Sequence, residues 1–327
     1  MRWLHHYLKF VAAASLLLIV AGGLVTSTGS GLAVPDWPNT YGTFMFAFPL
    51  SKMVGGIFYE HGHRLIASTV GLLTIALALW MARVEPRRWV RRLGWTALAA
   101  VIVQGLLGGI TVLYFLPAPI SISHAGLAQL FFALVVSLAL FTSPGWRSGH
   151  AVADAPEDDV LSRLALATPF LIYGQILLGA TMRHTGAGLA IPDFPLAFGH
   201  ILPPEWNAGI AIHFAHRVGA AAVTAIVAAT AGHLLLRHRE RRELTRPALL
   251  LAALVVVQVG LGAWTVLSGR QVAVNTAHVA VGAATFATSV VLALRAYRKR
   301  FPDTAGDRRQ RSHTAADSMR RGMEARA

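Results

Sequence analysis

An all-α membrane protein, eight transmembrane helices arranged as two parallel four-helix bundles related by a pseudo-two-fold axis, is the fold class the sequence predicts. Three observations predict it. The 327-residue chain is 55% hydrophobic and only 13% charged, with a mean hydropathy of +0.54, far from the balance of a soluble globule. Eight apolar stretches each approach the roughly 20 residues needed to cross about 30 Å of hydrocarbon at 1.5 Å per residue. The first half of the chain also reappears, in order, in the second.

The first stretch, 8–26, follows "MRWLHHYLKF" and resembles a signal peptide only superficially. Its apolar core is long and no small-x-small cleavage site follows it convincingly, so it reads as the first span. The second, 60–82, opens on "YEHGHRLIAST" and is followed by "EPRRWVRR" (85–92). Spans three and four fall at 93–113 and 121–142. A mixed loop from 143 to 160 then carries Arg147 with Asp154, Glu157, Asp158 and Asp159. Spans five to eight fall at 161–182, 209–236, 248–267 and 274–295, with "RHRERRELTR" (237–246) after the sixth and "RAYRKR" (295–300) after the eighth.

Short loops rich in Lys and Arg stay on the cytoplasmic side, which places both termini inside. The net charge of +14 is then a topology signal. Basic runs beside spans read as solvated segments near anionic lipid, so the bilayer and not nucleic acid is the expected partner. The absence of cysteine excludes disulfides, thiolate metal ligands, iron–sulfur clusters and covalently attached c-type haem.

The repeat is specific. "TGSGLAVPDWPNTYG" (28–42) returns as "TGAGLAIPDFPLAFG" (185–199), with nine of fifteen positions identical. "HRLIASTVG" (63–71) aligns with "HRVGAAAV" (216–223), "QGLLGGITVL" (104–113) with "QVGLGAWTVL" (258–267), and "SISHAGLA" (121–128) with "NTAHVAVG" (275–282). Four spans return the chain to its starting side, so the halves are parallel repeats about an axis along the membrane normal. The expected organisation is a first half at 1–150, a second at 151–300, and a polar, aperiodic, disordered tail at 301–327.

Of 14 histidines the repeat pairs four, His63, His124, His216 and His278. Each sits a few residues inside the outer end of an even-numbered span, roughly 4–8 Å below the surface at 1.5 Å per residue. One intramembrane histidine is an ordinary packing or hydrogen-bonding residue. Four at matched depth, two per half, point to ligation, because facing helices of a bundle hold a haem iron on both axial faces in this way. The spacing therefore predicts two haem sites, His63 with His124 and His216 with His278. Arg64 and Arg217 follow a histidine in each half, where haem propionates or lipid phosphate would give the guanidinium an anionic partner. Glu60 lies one helical turn before His63 and aligns with His213, so only the first half has a carboxylate for proton transfer beside its iron site. Pairing with Arg64 is the competing use of Glu60.

The outer loops read as lids or helix-entry turns, with Asp36 and Asp193 alternatively free to touch a ligand or redox partner. The roles of His61, His184, His200 and His213 at the outer face stay open. Gln104 and Gln258 read as hydrogen-bond glue between helices.

Over about residues 8–298 the chain resembles the haem A synthase family, the membrane enzymes that oxidise the C8 methyl of haem o to a formyl group. The resemblance is carried by "TGSGLAVPDWP", Glu60-x-x-His63-Arg64, His124, His216-Arg217 and His278. It implies that haem o is the substrate, held between His63 and His124 with Glu60 catalytic, and that His216 and His278 ligate a haem b cofactor. It further implies successive hydroxylation of the methyl, electrons from an external donor, and a complex with haem o synthase among the partners. Many family members carry a cysteine pair in the first outer loop; this chain has none, so it looks like a cysteine-free branch in which no thiol chemistry operates there. The alternatives from other classes are a bis-histidine dihaem membrane cytochrome of the quinol oxidoreductase type, which would leave haem unmodified, and a carrier or exporter built on parallel repeats.

Overall fold

In the computed structural model, which describes residues 1–147 and 158–301, the long helices are α1 (Arg2–Ser27), α2 (Gly56–Val84), α3 (Arg88–Leu113), α4 (Ala118–Thr142), α6 (Asp159–His184), α7 (Ala208–Arg237), α8 (Arg242–Leu267) and α9 (Val272–Ala296). Among the described residues the remaining α-helix, α5 (Pro144–Arg147), is a single turn after α4, and four short 3-10 turns lie in the loops and at the end of the last span. All eight long helices are long and apolar enough to cross a membrane, and the described residues contain no strand.

Each helix begins or ends beyond its predicted span, because hydropathy marks the hydrocarbon-facing stretch while the backbone continues to the next cap. Asp158 and Asn207 supply two such caps. The Asp158 carboxylate accepts the Leu161 N–H at 2.9 Å at the start of α6, and the Asn207 side chain accepts the Ile210 N–H at 2.9 Å at the start of α7. The four histidines consequently lie six to eight residues inside their helices, roughly 9–12 Å along the axis and deeper than the apolar boundaries implied.

Packing follows the repeat. In the first half α1 packs on α2 and α4, and α3 packs on the same two, closing a four-helix ring. In the second, α6 and α8 each pack on α7 and α9. Across the seam α4 meets α9, α1 meets α9, and α4 meets α6. Exchanging the halves maps the last two contacts onto one another and the α4–α9 contact onto itself, which is what a two-fold axis along the bundle requires. Central α4 and α9 are the most buried spans. At the seam Ile19 and Phe132 pack against Ala283 and Ala287, small residues that let the helices approach closely. Outward faces carry exposed apolar residues such as Leu72, Ile102, Phe170, Leu236 and Val256, suited to lipid.

The inner end corrects one boundary. Phe301, assigned from sequence to the disordered tail, packs its ring 5.4 Å from Trp146 and 5.6 Å from both Trp89 and Phe141. Arg298 donates to the Trp146 carbonyl at 3.0 Å. The end of the second half is thus fastened to the first by an aromatic cluster whose members are scattered in sequence. The rest of the expected tail, from residue 302, and the expected boundary near residue 150 lie outside the described residues.

Candidate functional site

The repeated loops close the outer end of each bundle by the same bonds. Asp36 accepts the Tyr41 and Gly42 N–H groups, each at 2.8 Å, and Asp193 accepts those of Phe198 and Gly199, also at 2.8 Å. Tyr41, Gly42, Phe198 and Gly199 all have positive φ, so the carboxylates hold a turn that Gly42 and Gly199 relieve. Slight burial alone would raise the Asp36 carboxyl, but the Gly42 and Tyr41 N–H groups outweigh it and lower it. The Gly199 and Phe198 N–H groups likewise lower Asp193. Both aspartates therefore serve the loop fold.

The arginines pull these loops down onto the helices. Arg64 donates to the carbonyls of Asp36 at 2.7 Å, Asn39 at 3.0 Å and Val34 at 2.8 Å, and to Glu60 at 2.6 Å. Arg217 donates to Leu196 at 2.7 Å, Asp193 at 2.6 Å and Ile191 at 3.2 Å. Arg64, for which haem propionates or lipid phosphate are the anionic partners expected from sequence, pairs within the chain with Glu60 of its own helix. Arg217 forms no ion pair among the described residues, has the Asp193 carboxylate within electrostatic reach, and retains a buried Nε–H without a hydrogen-bond partner. Buried Glu60 also accepts the Val34 N–H at 2.8 Å, and buried His213 accepts the equivalent Ile191 N–H through Nδ1 at 3.2 Å. The two residues share a structural task and differ in chemistry.

Below the loops lie the four histidines, on α2, α4, α7 and α9. His63 and His124 are within electrostatic reach of each other, as are His216 and His278. Each imidazole lies against a glycine of the neighbouring helix. A Cβ at Gly22 would stand 3.1 Å from the His63 Cε1, at Gly108 3.2 Å from that of His124, at Gly179 2.9 Å from that of His216, and at Gly262 3.1 Å from that of His278. Any larger residue would move the ring. The buried Nδ1 atoms of His63, His124 and His278 have no hydrogen-bond partner, although the residues as wholes are only half-buried. Buried polar atoms are normally satisfied. Three orphans at repeat-related positions, each on a ring that lies against a glycine, are compatible with imidazoles that take a ligand from outside the chain. The donor set suits an iron with two axial nitrogens, so the residues fit haem.

Three glutamines brace this layer. Gln104 donates to the His124 carbonyl at 2.9 Å, Gln258 makes a long 3.4 Å contact to His278 Nε2, and Gln175 donates to the His216 carbonyl at 2.7 Å and contacts its Nδ1 at 3.0 Å. The cradle glycines were legible in the repeat, since Gly22 aligns with Gly179 and Gly108 with Gly262. Gln175 was not, because its counterpart is Leu18. Buried His61 bonds Thr40 at 3.0 Å, and His5 bonds the Ala139 carbonyl at 3.0 Å, so neither reaches the histidine layer. At the inner end His233 and His238 converge on Asp158 at 2.7 and 2.6 Å, a cluster that sequence spacing did not suggest.

Residues 5–290 match the COX15-CtaA family of cytochrome oxidase assembly proteins. Similar curated proteins include the heme A synthase of Symbiobacterium thermophilum, 33% identical over 263 residues that cover 77% of this chain and 81% of the relative. The heme A synthase of an Exiguobacterium species is 28% identical over 292 residues, covering 88% and 92%, and that of Rhizorhabdus wittichii is 27% identical over 324 residues, covering 85% and 89%. With the repeated loops, four cradled histidines and eight spans in place along the whole matched length, the chain belongs to the haem A synthase family.

Proposed function

We propose that this chain makes haem A by oxidising the C8 methyl of haem o, with the first half as the reactive site and the second as an electron-transfer site. Membership of the family makes it an oxidoreductase of haem A biosynthesis. The observation that carries the division of labour is the Glu60–His213 exchange: both residues hold the loop, and only Glu60 brings a carboxylate to a histidine pair.

In this reading His63 and His124 hold the haem o substrate and Arg64 keeps Glu60 and the loop in register above it. Two hydroxylations turn the methyl into a gem-diol, each balanced by dioxygen as co-oxidant: one oxygen atom enters the C–H bond and the other leaves as water with two protons and two electrons from the external donor. Loss of water from the gem-diol leaves the formyl group. Glu60 is the group that accepts and returns protons at the substrate edge, released from or held by Arg64 as its charge changes. Haem b between His216 and His278 would supply one-electron transfer from a donor outside the chain. The loop held by Arg217 excludes water from that half, and the bundle sits in the bacterial cell membrane with both termini cytoplasmic. Haem o synthase is the natural partner for delivering a substrate this insoluble.

Extraction of pigments from the purified protein, produced in cells that make haem o, tests the proposal. Haem A or its hydroxylated precursor is expected with the wild type and absent with His63→Ala. Bound haem that is recovered chemically unchanged would leave an electron carrier instead.

A further inference from the structure

The halves also differ at their outer ends, in charge. Three positions that are uncharged in the first half, Thr26, Ser27 and Leu116, correspond to Arg183, His184 and Arg270 in the second. The backbone is equivalent there: Phe115 and Leu116 have φ of 57° and 59°, Gly269 and Arg270 have 63° and 66°. A Cβ on the loop glycine Gly31 would meet Leu116 Cδ1 at 3.3 Å, and one on its counterpart Gly188 would meet Arg270 Cδ at 3.5 Å. One scaffold position thus offers a methyl in one half and a guanidinium in the other.

Among the described residues Arg183 uses only Nη2, donating to the Gly23 carbonyl at 3.2 Å and the Ser27 hydroxyl at 3.0 Å. It is half-buried at the seam, within electrostatic reach of both Arg270 and His278. Among the described residues neither arginine forms an ion pair. Of the outer acids, Asp36 and Asp193 are spent on their loops and Glu60 on Arg64, and Glu205 forms no ion pair with either arginine. Two like charges at a partly desolvated site repel and lose hydration, a cost that an anion between them reverses.

Resting on the reading that the second half holds haem b, we propose that Arg183 and Arg270 form a carboxylate-binding pair for the propionates of that haem, and that its absence from the first half leaves the haem there exchangeable. A guanidinium pair matches two carboxylates on a flexible stem whose ring system reaches His278. The substitution of Thr26 and Leu116 at the equivalent sites removes the charge complement from the half whose occupant must leave as product. Retention and release are then written into the same scaffold by two side chains.

The test measures transfer of haem b from the full-length, haem-loaded protein to apomyoglobin, with the midpoint potential of the resident haem. Arg183→Gln with Arg270→Gln should speed transfer roughly tenfold or more, as loss of charge-assisted hydrogen bonds implies. It should also lower the potential, because a nearby positive charge favours the reduced iron. Arg183→Lys with Arg270→Lys, which keeps the charge, should restore most of both. Wild-type protein loaded with haem b dimethyl ester, which lacks the carboxylates, should release it as fast as the double Gln variant releases haem b. Thr26→Arg with Leu116→Arg should slow release of haem o from the first half. Unchanged transfer and potential in the Gln variant, or equal retention of ester and acid by the wild type, would overturn the assignment. Failure of the two-site reading is distinguishable, since it would appear as an intact haem spectrum in His216→Ala and His278→Ala.

Discussion

In the first half Glu60 accepts a loop N–H and pairs with Arg64; in the second His213 accepts the equivalent N–H, and Arg217 forms no ion pair among the described residues and meets the Asp193 carboxylate only at longer range. Leu18 of the first half corresponds to Gln175 of the second, which bonds His216 twice. A Cβ at Gly219 would stand almost on the Gln175 side chain, and its first-half counterpart is Ile66, so the polar brace and the space for it were exchanged together. The frame of loops, arginines, cradles and histidines is common to both halves. The differences are chemical: a carboxylate paired with an arginine in one half, and an added amide brace and two further arginines in the other.

The largest effects should come from breaking either histidine pair. His216→Ala or His278→Ala should abolish a low-spin six-coordinate haem b spectrum, because one axial ligand is lost. His63→Ala or His124→Ala should leave that spectrum and stop haem A formation. Optical spectra and pigment extracts of the four variants check this, and an undisturbed spectrum in both second-half variants would dissolve the contrast between the halves.

Glu60 sharpens it. Glu60→Gln should keep haem bound while slowing conversion by about 10²–10⁴, the usual worth of general acid–base assistance. Glu60→His is more discriminating, because His213 shows that an imidazole can hold the same loop N–H. If Glu60 is only a loop anchor, that variant should convert haem o nearly as well as the wild type; if it exchanges protons, conversion should fall while the loop stays folded. His213→Ala should leave conversion largely intact.

The cradles offer a graded test. Gly179→Ala would place a Cβ 2.9 Å from the His216 ring, whereas Gly108→Ala would stand 3.2 Å from that of His124. Alanine favours a helix over glycine by about 1 kcal/mol, so any loss of haem must come from the displaced ring. Haem b content should fall clearly in Gly179→Ala, with Gly108→Ala milder towards the first-half site. Equal, unimpaired loading in both would mean that the glycines do not set the rings.

Much of this was legible in the sequence, and what was not has definite causes. Hydropathy located every span because a bilayer-facing helix must be apolar, and the repeat selected the four histidines because only symmetry separates them from the other ten. Spacing could not show that Arg64 and Arg217 are spent on loop carbonyls, since a backbone acceptor leaves no trace in residue identity. Gln175, Arg183 and Arg270 were hidden by the same logic that revealed the histidines: the repeat draws attention to what is shared, and they matter because they are not. Phe301 looked like tail because its partners Trp89, Phe141 and Trp146 are distant in sequence. Phe301→Ala should lower the stability of the bundle by about 2 kcal/mol, less than full burial would give, readable in thermal unfolding of the haem-loaded protein.

The smallest effect should appear at the inner ends, where the halves are fastened differently. In the first half buried Glu85 pairs with Arg87 at 2.7 Å, and Arg87 donates to the Phe141 carbonyl at 2.8 Å. In the second, His238 stands at the position of Glu85 and joins His233 on Asp158, whose counterpart is Met1. Partial burial alone would raise the Asp158 carboxyl, but hydrogen bonds from His238, the Leu161 N–H and His233 outweigh it and hold it well below the usual carboxylate range. A group whose folded pKa is depressed stabilises the fold fully above its unfolded value, about 3.9 for aspartate, and loses that contribution as pH falls towards the folded value. Asp158→Asn keeps a helix-capping side chain and removes the charge, so it should cost about 1 kcal/mol at pH 6, and the gap to the wild type should close between about pH 4 and pH 2. Unfolding midpoints of the two proteins across that range, with haem loading held equal, decide the matter. A gap independent of pH would mean that the second half is closed at its inner end by packing alone, as a neutral seam would be, and that the Asp158–histidine cluster is not what distinguishes it from the Glu85–Arg87 lock of the first.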